Sequence, residues 1–453
     1  MYFVYSFLMG TAALLLLPYW LVKGLRHGKY LSNLRERLGL STAALDNLPA
    51  GHPGAIWIHA VSVGELLSSV ALAKRLKKAY PDRPLVVSTT TITGQDLARK
   101  RLQFADAVFY FPLDWTFCVR RALRAVRPCL VVVLETEIWP NFLRDARRQN
   151  IPVLFVSGRI SDRSFARYEQ YLRRFDFFLR PFLRSALSNA GAFLMQSAKD
   201  AERIRALGAP ADRISVSGNL KYDMDLPPAT PLSSWLEEEA RRQGRSPIVV
   251  AGSVVATEEP LALIAFGVVQ GEHPNALLVL APRKPERFEA AADFIHESRR
   301  KFIRRSELVL TGHAQGTATG SNGSISRDVT VILLDSIGEL ASVYRLADSA
   351  FVGGSLVPSG GHNILEPAAF GKIPVFGPSM ENFADIAARF VAADAAIQVE
   401  SPEDAGVAWI ELLRNPERRR KMGENAQRLV DSSRGATDRV LAEIAKFLGS
   451  PAQ

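Results

Sequence analysis

Short apolar runs alternate with amphipathic helical patterns through the first half of the chain. Helical periodicity marks Gly64–Tyr80, Gly94–Gln103 and Thr116–Val126. The runs that predict strands are Ala55–Ala60, Leu85–Thr89, Ala107–Phe111, Leu130–Leu134, Ile151–Val156, Ala192–Met195 and Ile214–Val216. Because these runs are apolar throughout, the pattern predicts a parallel sheet that helices cover on both faces.

The same alternation restarts after a short proline-rich segment. That segment, Leu226–Leu232, is uncharged and predicts an interdomain linker. Beyond it, helices are predicted at Glu258–Val269, at Pro285–Ser298 and from about Pro402 onward. Strands are predicted at Pro247–Ala251, Ala276–Ala281, Val329–Leu334, Ser349–Val352 and Ile373–Phe376. The Gly- and Ser-rich stretch Gly312–Arg327 predicts a surface loop without chemistry.

These patterns predict an α/β chain with two Rossmann-like doubly wound domains, residues 23–225 and 233–453. One linker between two such domains predicts a cleft. Ligands of open parallel sheets bind at the carboxyl ends of the strands. Residues that directly follow a strand are therefore the first candidates for chemistry.

The N-terminal residues 1–22 carry no charged side chain. A helix of this length spans about 33 Å, which is enough to cross the apolar core of a bilayer. A basic stretch, 23–29, follows directly, and basic flanks stay on the cytoplasmic side. The pattern predicts an inner-membrane anchor with the rest of the chain in the cytoplasm. A cleaved signal peptide fits less well, because a basic n-region is absent. Pro18 and Trp20 leave a monotopic insertion open.

The formal net charge of +10 narrows the class of partner. Arginines cluster at 120–127, 299–305 and 418–421, which suits nucleic acid, an anionic membrane or a phosphorylated substrate, or else solvated helix faces. The apolar N-terminus favours the membrane and a phosphorylated substrate over nucleic acid. The two cysteines, Cys118 and Cys129, form neither a disulfide framework nor a zinc pattern, which indicates a reducing compartment.

Acidic side chains follow two predicted strands of the first domain. Glu65 lies three residues after Ser62, which is the spacing of a helix capping box and equally that of a general base at a strand end. Glu135 directly follows the apolar strand Leu130–Leu134, where it either forms a structural ion pair or contacts substrate.

A basic turn lies just before the linker. Lys221 can meet a phosphate or developing negative charge. Asp223 and Asp225 have the spacing of a DxD metal motif. That spacing is common by chance and has no supporting ligands, so we expect no metal site.

In the second half, Arg283 ends a strand and suits a phosphate or carboxylate, and acids follow another strand in 335–339. The richest segment is Phe351–Pro378. Its two glycine pairs, Gly353–Gly354 and Gly360–Gly361, allow backbone amides to approach a ligand. The second pair is predicted to open a helix, and the N-terminus of a helix attracts phosphate. Asn363 and Glu366 lie one helical turn apart, so both can face one nucleoside. A purely structural loop is the alternative.

Five ordered motifs resemble one known family. WIHAVSVGE, LETEIWPN, GNLKYD, APRKPERF and FVGGSLVPSGGHNILEPAAFGKIPVFGP are similar to the motifs of bacterial 3-deoxy-D-manno-octulosonic acid (Kdo) transferases. The resemblance implies a GT-B glycosyltransferase that moves Kdo from CMP-Kdo to the phosphorylated lipid A precursor at the cytoplasmic face of the inner membrane. It also implies an inverting reaction that needs no metal or cofactor.

The resemblance assigns roles to residues that match the motifs. Glu65 matches the proton acceptor, and Glu135 and Lys221 match positions that stabilise the transition state. The implied CMP site comprises Pro282, Arg283, Ile337, Gly338, Glu339, Asn363, Ile364, Leu365 and Glu366. Lys284 departs from the family, where histidine is usual.

Two other classes of function remain open on the sequence. A nonhydrolytic nucleotide-sugar epimerase shares the two-domain plan but needs no membrane anchor. A non-catalytic membrane scaffold would use the basic clusters to bind anionic lipid and would leave Glu65 dispensable.

Overall fold

The computed structural model describes residues 1–11, 14–15, 33–40, 43–308, 310 and 325–449. The chain forms two compact units. Unit 1 contains Met1–Met224 and Ser433–Gln453, and unit 2 contains Asp225–Ser432. The return of the last residues to unit 1 differs from the sequence-based division, which placed them in the second domain.

Unit 1 is built on a parallel sheet of seven described strands in the order β3-β2-β1-β4-β5-β6-β7. The strands are β1 Ala55–Ala60, β2 Leu85–Thr89, β3 Ala107–Tyr110, β4 Pro128–Leu134, β5 Val153–Gly158, β6 Ala192–Met195 and β7 Ile214–Val216. The helices are Leu34–Arg37, Ala43–Asp46, Val63–Ala79, Ile92–Arg101, Thr116–Val126, Pro140–Arg148, Asp162–Arg174, Asp176–Leu187, Ala198–Ala206 and Ala436–Leu448. Two 3-10 turns, Ala211–Arg213 and Leu220–Asp223, flank β7.

The central strand β4 shows why its sequence is apolar throughout. Val131 and Val133 pack into the core on one face of the sheet. Leu130, Val132 and Leu134 pack into the core on the other face. A strand with both faces buried has no polar position, which is the property that predicted a parallel sheet.

The C-terminal helix Ala436–Leu448 belongs to unit 1 because it completes one of these cores. Ala436, Val440 and Ile444 are fully buried in the same cluster as the Leu130 face of β4. Burying one Val or Ile side chain is worth about 1.5–3 kcal/mol, so this apolar face holds the helix on unit 1.

Unit 2 is built on a second parallel sheet of seven described strands, in the order β10-β11-β9-β8-β12-β13-β14. The strands are β8 Ile248–Val254, β9 Leu277–Pro282, β10 Lys301–Arg304, β11 Val329–Leu333, β12 Ser349–Val352, β13 Pro374–Phe376 and β14 Ile397–Gln398. The helices are Pro231–Gln243, Glu259–Glu272, Phe288–Glu297, Leu340–Val343, Leu365–Ala368, Ala384–Ala392, Pro402–Arg414 and Pro416–Ser433. The 3-10 turns are Pro285–Arg287, Arg305–Glu307, Tyr344–Leu346 and Glu381–Phe383.

The two sheets confirm the predicted α/β class with two doubly wound domains. Two edge strands were not predicted: β10 is short with a charged residue at each end, and β14 has only two residues. The helix Pro231–Gln243 begins inside the predicted linker, because Thr230 caps it and Pro231 occupies its first position. Most of the predicted loop Gly312–Arg327 lies outside the described residues.

Residues 2–11 form a helix that contacts the body of unit 1 through polar side chains. Tyr5 donates a hydrogen bond to Asp114 at 2.9 Å, and Asn141 donates one to Ser6 at 3.0 Å. Within the described ranges, no helix is both long and apolar enough to cross a membrane. The predicted anchor, 1–22, extends into residues outside those ranges.

Candidate active site

The strand order of unit 1 identifies one edge of its sheet as the binding edge. β1 lies between β2 and β4, so the chain leaves the sheet centre in opposite directions on the two sides of the β1–β4 pair. Open α/β sheets bind ligands at the carboxyl ends of such strands. Glu65 lies five residues beyond β1, and Glu135 directly follows β4. The topology therefore places both predicted acids at the switch point.

The backbone at the start of the helix Val63–Ala79 holds Glu65 in place. Its carboxylate accepts hydrogen bonds from the N–H groups of Val61 at 2.7 Å and Ser62 at 3.2 Å. The Ser62 hydroxyl in turn accepts from the Glu65 N–H at 3.2 Å. The predicted capping box is thus confirmed. It fixes the side chain without excluding a chemical role, because a carboxylate can accept further hydrogen bonds.

Glu65 is 5% exposed, and its protonation is close to balance at neutral pH. Burial, and then the negative charge of Glu135, raise the pKa of Glu65 to about 7, although the hydrogen bonds from Val61 and Ser62 lower it. Glu137 contributes a smaller increase. A general base is most effective when its pKa lies near the operating pH. The electrostatics of this site therefore suit proton transfer.

Lys221 forms an ion pair with Glu135, one of the acids near Glu65. Its Nζ lies 3.8 Å from Oε1 of Glu135, and its side chain is mostly buried. The Lys221 N–H donates to Asn219 Oδ1 at 2.9 Å, and Asn219 Nδ2 donates to Gln196 Oε1 at 2.9 Å. The three residues predicted as catalytic are therefore brought together, with Glu135 next to both Glu65 and Lys221.

The backbone is strained where this acidic group leaves the sheet. Glu135 has φ +54° and Ser157, at the end of β5, has φ +56°. Left-handed conformations of non-glycine residues cost on the order of 1–3 kcal/mol each and persist only where the surroundings enforce them. The Glu135 N–H still donates to Val156 O at 2.9 Å, so the sheet hydrogen bonding holds the strained residue in place.

The corresponding switch point of unit 2 lies between β8 and β12. The glycine-rich segment begins directly after β12. A Cβ on Gly353 would lie 2.6 Å from the carbonyl oxygen of Ser253, so only glycine permits this approach of two backbones. Ser253 itself has φ +57° and sits in a bulge at the end of β8.

Arg283 and Glu366 of the predicted CMP site share one electrostatic environment. Burial raises the pKa of Glu366, while a 3.3 Å hydrogen bond from Asn363 and the charge of Arg283 act in the opposite direction. Burial and then Arg283 lower the pKa of His362 to about 4, so its imidazole is neutral at pH 7. A guanidinium beside a neutral ring and an amide suits a phosphate joined to a nucleoside.

Three other residues of the predicted CMP site lie close in the chain to Arg283 and Asn363. Pro282 is the last residue of β9, and the Arg283 N–H donates to Val254 O at 2.8 Å. Ile364 and Leu365 are buried, and the Leu365 N–H donates to Asn363 Oδ1 at 3.1 Å.

The turn after β11 carries the remaining predicted CMP residues. Ile337 is 59% exposed, and Gly338 has φ +99°. The Glu339 carboxylate is already engaged, because it accepts from Arg305 at 2.9 Å and from the Ser336 hydroxyl at 2.5 Å. Ile337 and Gly338 are the exposed residues of this turn.

Two expectations about the glycine pairs are wrong. The amides of all four paired glycines are used internally: Gly353 donates to Gly252 O, Gly354 to the Glu258 carboxylate, Gly360 to Ser379 Oγ and Gly361 to Gly354 O. The helix expected after the second pair begins only at Leu365 and runs for four residues. Side chains rather than glycine amides are therefore the candidate ligand contacts of this segment.

The DxD spacing has a structural use. The Asp223 carboxylate accepts from the N–H groups of Gly435, at 2.7 Å, and Thr437. It therefore caps the start of the helix Ala436–Leu448, whose free amides attract a negative charge. Asp225, the other acid of the spacing, is exposed.

Sequence reasoning missed several residues of these sites. Glu137 adjoins the acidic group of unit 1, Glu258 binds the glycine-rich segment, and His362 belongs to that segment. Glu258 had a usable signal, because it is an acid just beyond a strand that ends in small residues, as Glu65 is. His362 lies inside the glycine-rich motif itself.

Comparisons with known proteins agree with the motifs. The family described as 3-deoxy-D-manno-octulosonic-acid transferase (kdotransferase) matches residues 32–224. A 3-deoxy-D-manno-octulosonic acid transferase of Haemophilus influenzae is 33% identical, over 98% of this chain and 98% of its own length. The Bordetella pertussis transferase of the same name is 32% identical, over 88% of this chain and 89% of its own length.

A solved structure shows the same fold at low identity. The UDP-GlcNAc 2-epimerase of Neisseria meningitidis, bound to UDP-GlcNAc, superposes with a TM-score of 0.52 at 14% identity, over 86% of this chain and 100% of its own. At that identity the likeness concerns the fold alone. The full-length identity to named transferases is what decides the family: the chain belongs to the 3-deoxy-D-manno-octulosonic acid (Kdo) transferases, and it is a glycosyltransferase.

Proposed function

We propose that the protein transfers Kdo from CMP-Kdo to the phosphorylated lipid A precursor, lipid IVA, with inversion at the anomeric carbon. One observation carries the catalytic part of this proposal. Glu65 is a buried carboxylate with a pKa of about 7, held at the switch point of the unit 1 sheet. Its position and protonation suit a general base.

In the proposed step, Glu65 takes the proton of an acceptor hydroxyl as the hydroxyl oxygen attacks the anomeric carbon of Kdo. The bond from that carbon to the phosphate oxygen breaks, and CMP leaves with the bonding electron pair. The sugar passes through a transition state with oxocarbenium character, as in glycosyl transfer generally. Because the hydroxyl attacks from the face opposite CMP, the configuration inverts.

Glu135 and Lys221 act on the charges of this step in different ways. Glu135 faces the positive charge that develops on the sugar ring and keeps the pKa of Glu65 high. Lys221 balances the charge of Glu135 across 3.8 Å and can interact with a phosphate. The site thus holds one carboxylate for the proton and one ion pair for the developing charges.

Unit 2 is proposed to bind the CMP part of the donor. Arg283 would bind the phosphate, and Asn363 and Glu366, which hydrogen-bond to each other, would contact the nucleoside. The neutral His362 beside Arg283 adds a polar surface without competing positive charge. Pro282 and the turn Ile337–Glu339 would border the same nucleotide.

We further propose that unit 1 attaches to the cytoplasmic face of the inner membrane through its N-terminal region. Tyr5 and Ser6 turn one side of the first helix towards the body. Phe3 is 81% exposed on the outer side, and Phe177 and Phe178 of the helix Asp176–Leu187 are 83% and 69% exposed. Exposed aromatic groups of this kind favour an apolar phase, and the acceptor is itself a lipid.

Transfer is tested by incubating the full chain with CMP-Kdo and lipid IVA and weighing the acceptor by mass spectrometry. We expect a mass gain of whole Kdo residues together with CMP release that depends on the acceptor. An epimerase of this fold would consume a donor without any acceptor. Unmodified lipid IVA after complete donor turnover would contradict the proposed transfer. NMR of the new linkage reports whether the configuration inverts.

Membrane attachment is tested separately by flotation with vesicles that contain anionic phospholipid. We expect the wild type to float with the vesicles and a Phe177→Glu, Phe178→Glu variant to bind less. Equal flotation of both proteins would contradict a role for this aromatic surface.

A further inference from the structure

Glu258 is a carboxylate in an unusual backbone environment. It is fully buried and lies just before the helix Glu259–Glu272. Its Oε2 accepts from the N–H groups of Gly354 at 2.6 Å and Val255 at 3.2 Å. Its Oε1 accepts from Ser355 and Leu356, each at 3.0 Å. Four backbone donors thus converge on one side chain.

These hydrogen bonds orient three successive peptide groups of the glycine segment. Since each N–H points at Glu258, the carbonyl groups of the same stretch point away from it. Gly354 O accepts from the Gly361 N–H at 2.8 Å, and Ser355 O accepts from the Ser379 N–H at 2.9 Å. Ser379 Oγ then accepts from the Gly360 N–H at 2.9 Å. The second glycine pair is therefore held through the first.

The side chains that follow the second glycine pair are those of the proposed nucleotide site. His362 packs against Gly354, where a Cβ would lie 2.9 Å from the imidazole. Asn363 comes next in the chain and hydrogen-bonds to Glu366. A continuous set of contacts thus links Glu258 to groups beside Arg283, although Glu258 is itself shielded from any ligand.

We propose that Glu258 is a positioning residue for the donor: it fixes the Gly353–Leu356 stretch and, through it, the residues His362–Glu366 that bind the nucleotide. The proposal rests on the proposed function for the identity of the ligand. It does not make Glu258 a catalytic residue, because its carboxylate contacts only protein.

Only a carboxylate of this length can accept all four backbone hydrogen bonds without a change in the loop. Both oxygens of a carboxylate accept, so two N–H groups can be bound on each side. A glutamine presents an NH₂ group on one side, which would oppose two N–H donors of the backbone. An aspartate retains both acceptors but is shorter by one methylene, so it can satisfy the donors only if the loop shifts.

The matched control is Glu239, a second buried acid of unit 2. It lies in the helix Pro231–Gln243, is 5% exposed and accepts from the Ile325 N–H at 2.9 Å and from Arg242 at 2.7 Å. Glu239→Gln therefore also removes a buried charge that binds a backbone amide. Its hydrogen-bond partners Ile325, Arg242 and Gln243 lie outside the glycine-rich segment.

The experiment measures amide hydrogen exchange over 353–358 and the Kd for CMP by calorimetry, in the full chain. In Glu258→Gln we expect exchange in that segment to be at least about tenfold faster, and the Kd for CMP to rise about 10–30-fold, because an ordered site becomes loose. Turnover at saturating donor should change much less than the KM for CMP-Kdo. Glu239→Gln should lower the melting temperature but leave both the segment and the Kd for CMP as in wild type.

Glu258→Asp is a second variant that keeps the proposal testable if Glu258→Gln does not fold. It keeps the charge, and we expect it to fold and to show intermediate exchange and intermediate affinity. Exchange over 353–358 that stays at the wild-type rate in both variants would overturn the proposal. Faster exchange with the Kd for CMP unchanged would also overturn it.

A failure of the proposed function gives a different result. If the wild type binds no CMP, the donor assignment fails whatever Glu258 does. If the wild type binds CMP and both Glu258 variants bind it equally well, only the positioning role fails.

Discussion

The two sheets place different chemistry at equivalent positions. At the switch point of unit 1, acids meet: the buried Glu65 accepts two backbone hydrogen bonds and lies near the charges of the partly buried Glu135 and Glu137. At the switch point of unit 2, Glu258 is equally buried but accepts four backbone hydrogen bonds. Burial is common to both carboxylates. The difference lies in the neighbours, and we propose that these leave Glu65 able to exchange a proton and commit Glu258 to holding a loop.

The proposed function assigns proton transfer to unit 1 and nucleotide binding to unit 2. Single-residue variants test this assignment, because each substitution should affect either turnover or the affinity for the donor. A substitution that lowers turnover and donor affinity equally would argue against separate roles for the two units.

The largest effect is expected for Glu65→Gln. Loss of a general base typically lowers turnover by about 10²–10⁴-fold, and we expect a kcat reduced within this range. The measurement is CMP release at saturating CMP-Kdo and lipid IVA. Asp200→Asn is the control, because Asp200 is another buried acid behind a serine cap, at the start of the helix Ala198–Ala206. It should cost stability and leave kcat nearly unchanged; an equal loss in both variants would indicate a folding effect.

The next effect concerns Arg283→Ala. Hydrogen bonds to charged groups contribute about 1.5–3 kcal/mol, so the Kd for CMP should rise about 10–100-fold. Calorimetry with CMP measures it directly. The neighbouring Lys284 is also exposed, and Lys284→Ala should change the Kd by less than about fivefold. Equal losses for the two residues would mean that general positive charge, rather than Arg283, attracts the nucleotide.

A smaller effect is expected on the pH dependence of transfer. Below pH 7 Glu65 becomes protonated and cannot accept a proton, so kcat/KM should fall as the pH decreases through about 7. Because Glu135 raises the pKa of Glu65, Glu135→Gln should lower that pKa and move the acidic limb to lower pH. The exposed acid Glu202 is the control, and Glu202→Gln should leave the limb in place. If the acidic limb of Glu135→Gln stays at the wild-type pH, the charge of Glu135 does not raise the pKa of Glu65.

The smallest effect is expected at the helix cap of unit 1. Asp223→Asn should lower the free energy of unfolding by about 1 kcal/mol, because an asparagine accepts from fewer amides of the helix Ala436–Leu448. Urea unfolding measures this change. Asp225→Asn should have no effect, because that side chain is exposed. Similar losses in both variants would favour a joint role for the two acids.

The sheets were predictable because burial on two faces leaves a simple pattern. The apolar run Leu130–Leu134 lies within β4, and the other runs of both halves also fall on strands. The strand Lys301–Arg304 was not predicted because it lies at an edge and has only two apolar residues between two charged ones. The return of Ala436–Leu448 to unit 1 escaped because an amphipathic helix does not specify which core it covers.

The candidate residues were predictable as types, but apart from the Ser62–Glu65 capping box most of their partners were not. An acid after an apolar strand marked Glu65 and Glu135, a basic turn before the linker marked Lys221, and the family motifs assigned their roles. The direction of backbone amides has no sequence signature, so the use of Gly354 by Glu258 was not foreseen. The pairing of Glu339 with Arg305 spans 34 positions, which is beyond any local pattern.

The division of labour is tested most directly by measuring kcat for transfer and Kd for CMP together in Glu65→Gln and Arg283→Ala. We predict that Glu65→Gln loses turnover with its affinity for CMP unchanged. We predict that Arg283→Ala loses affinity for CMP and keeps most of its turnover at saturating donor. If Glu65→Gln retains wild-type turnover, or if both variants lose the same constant, the assignment of the base to unit 1 and the nucleotide to unit 2 is contradicted.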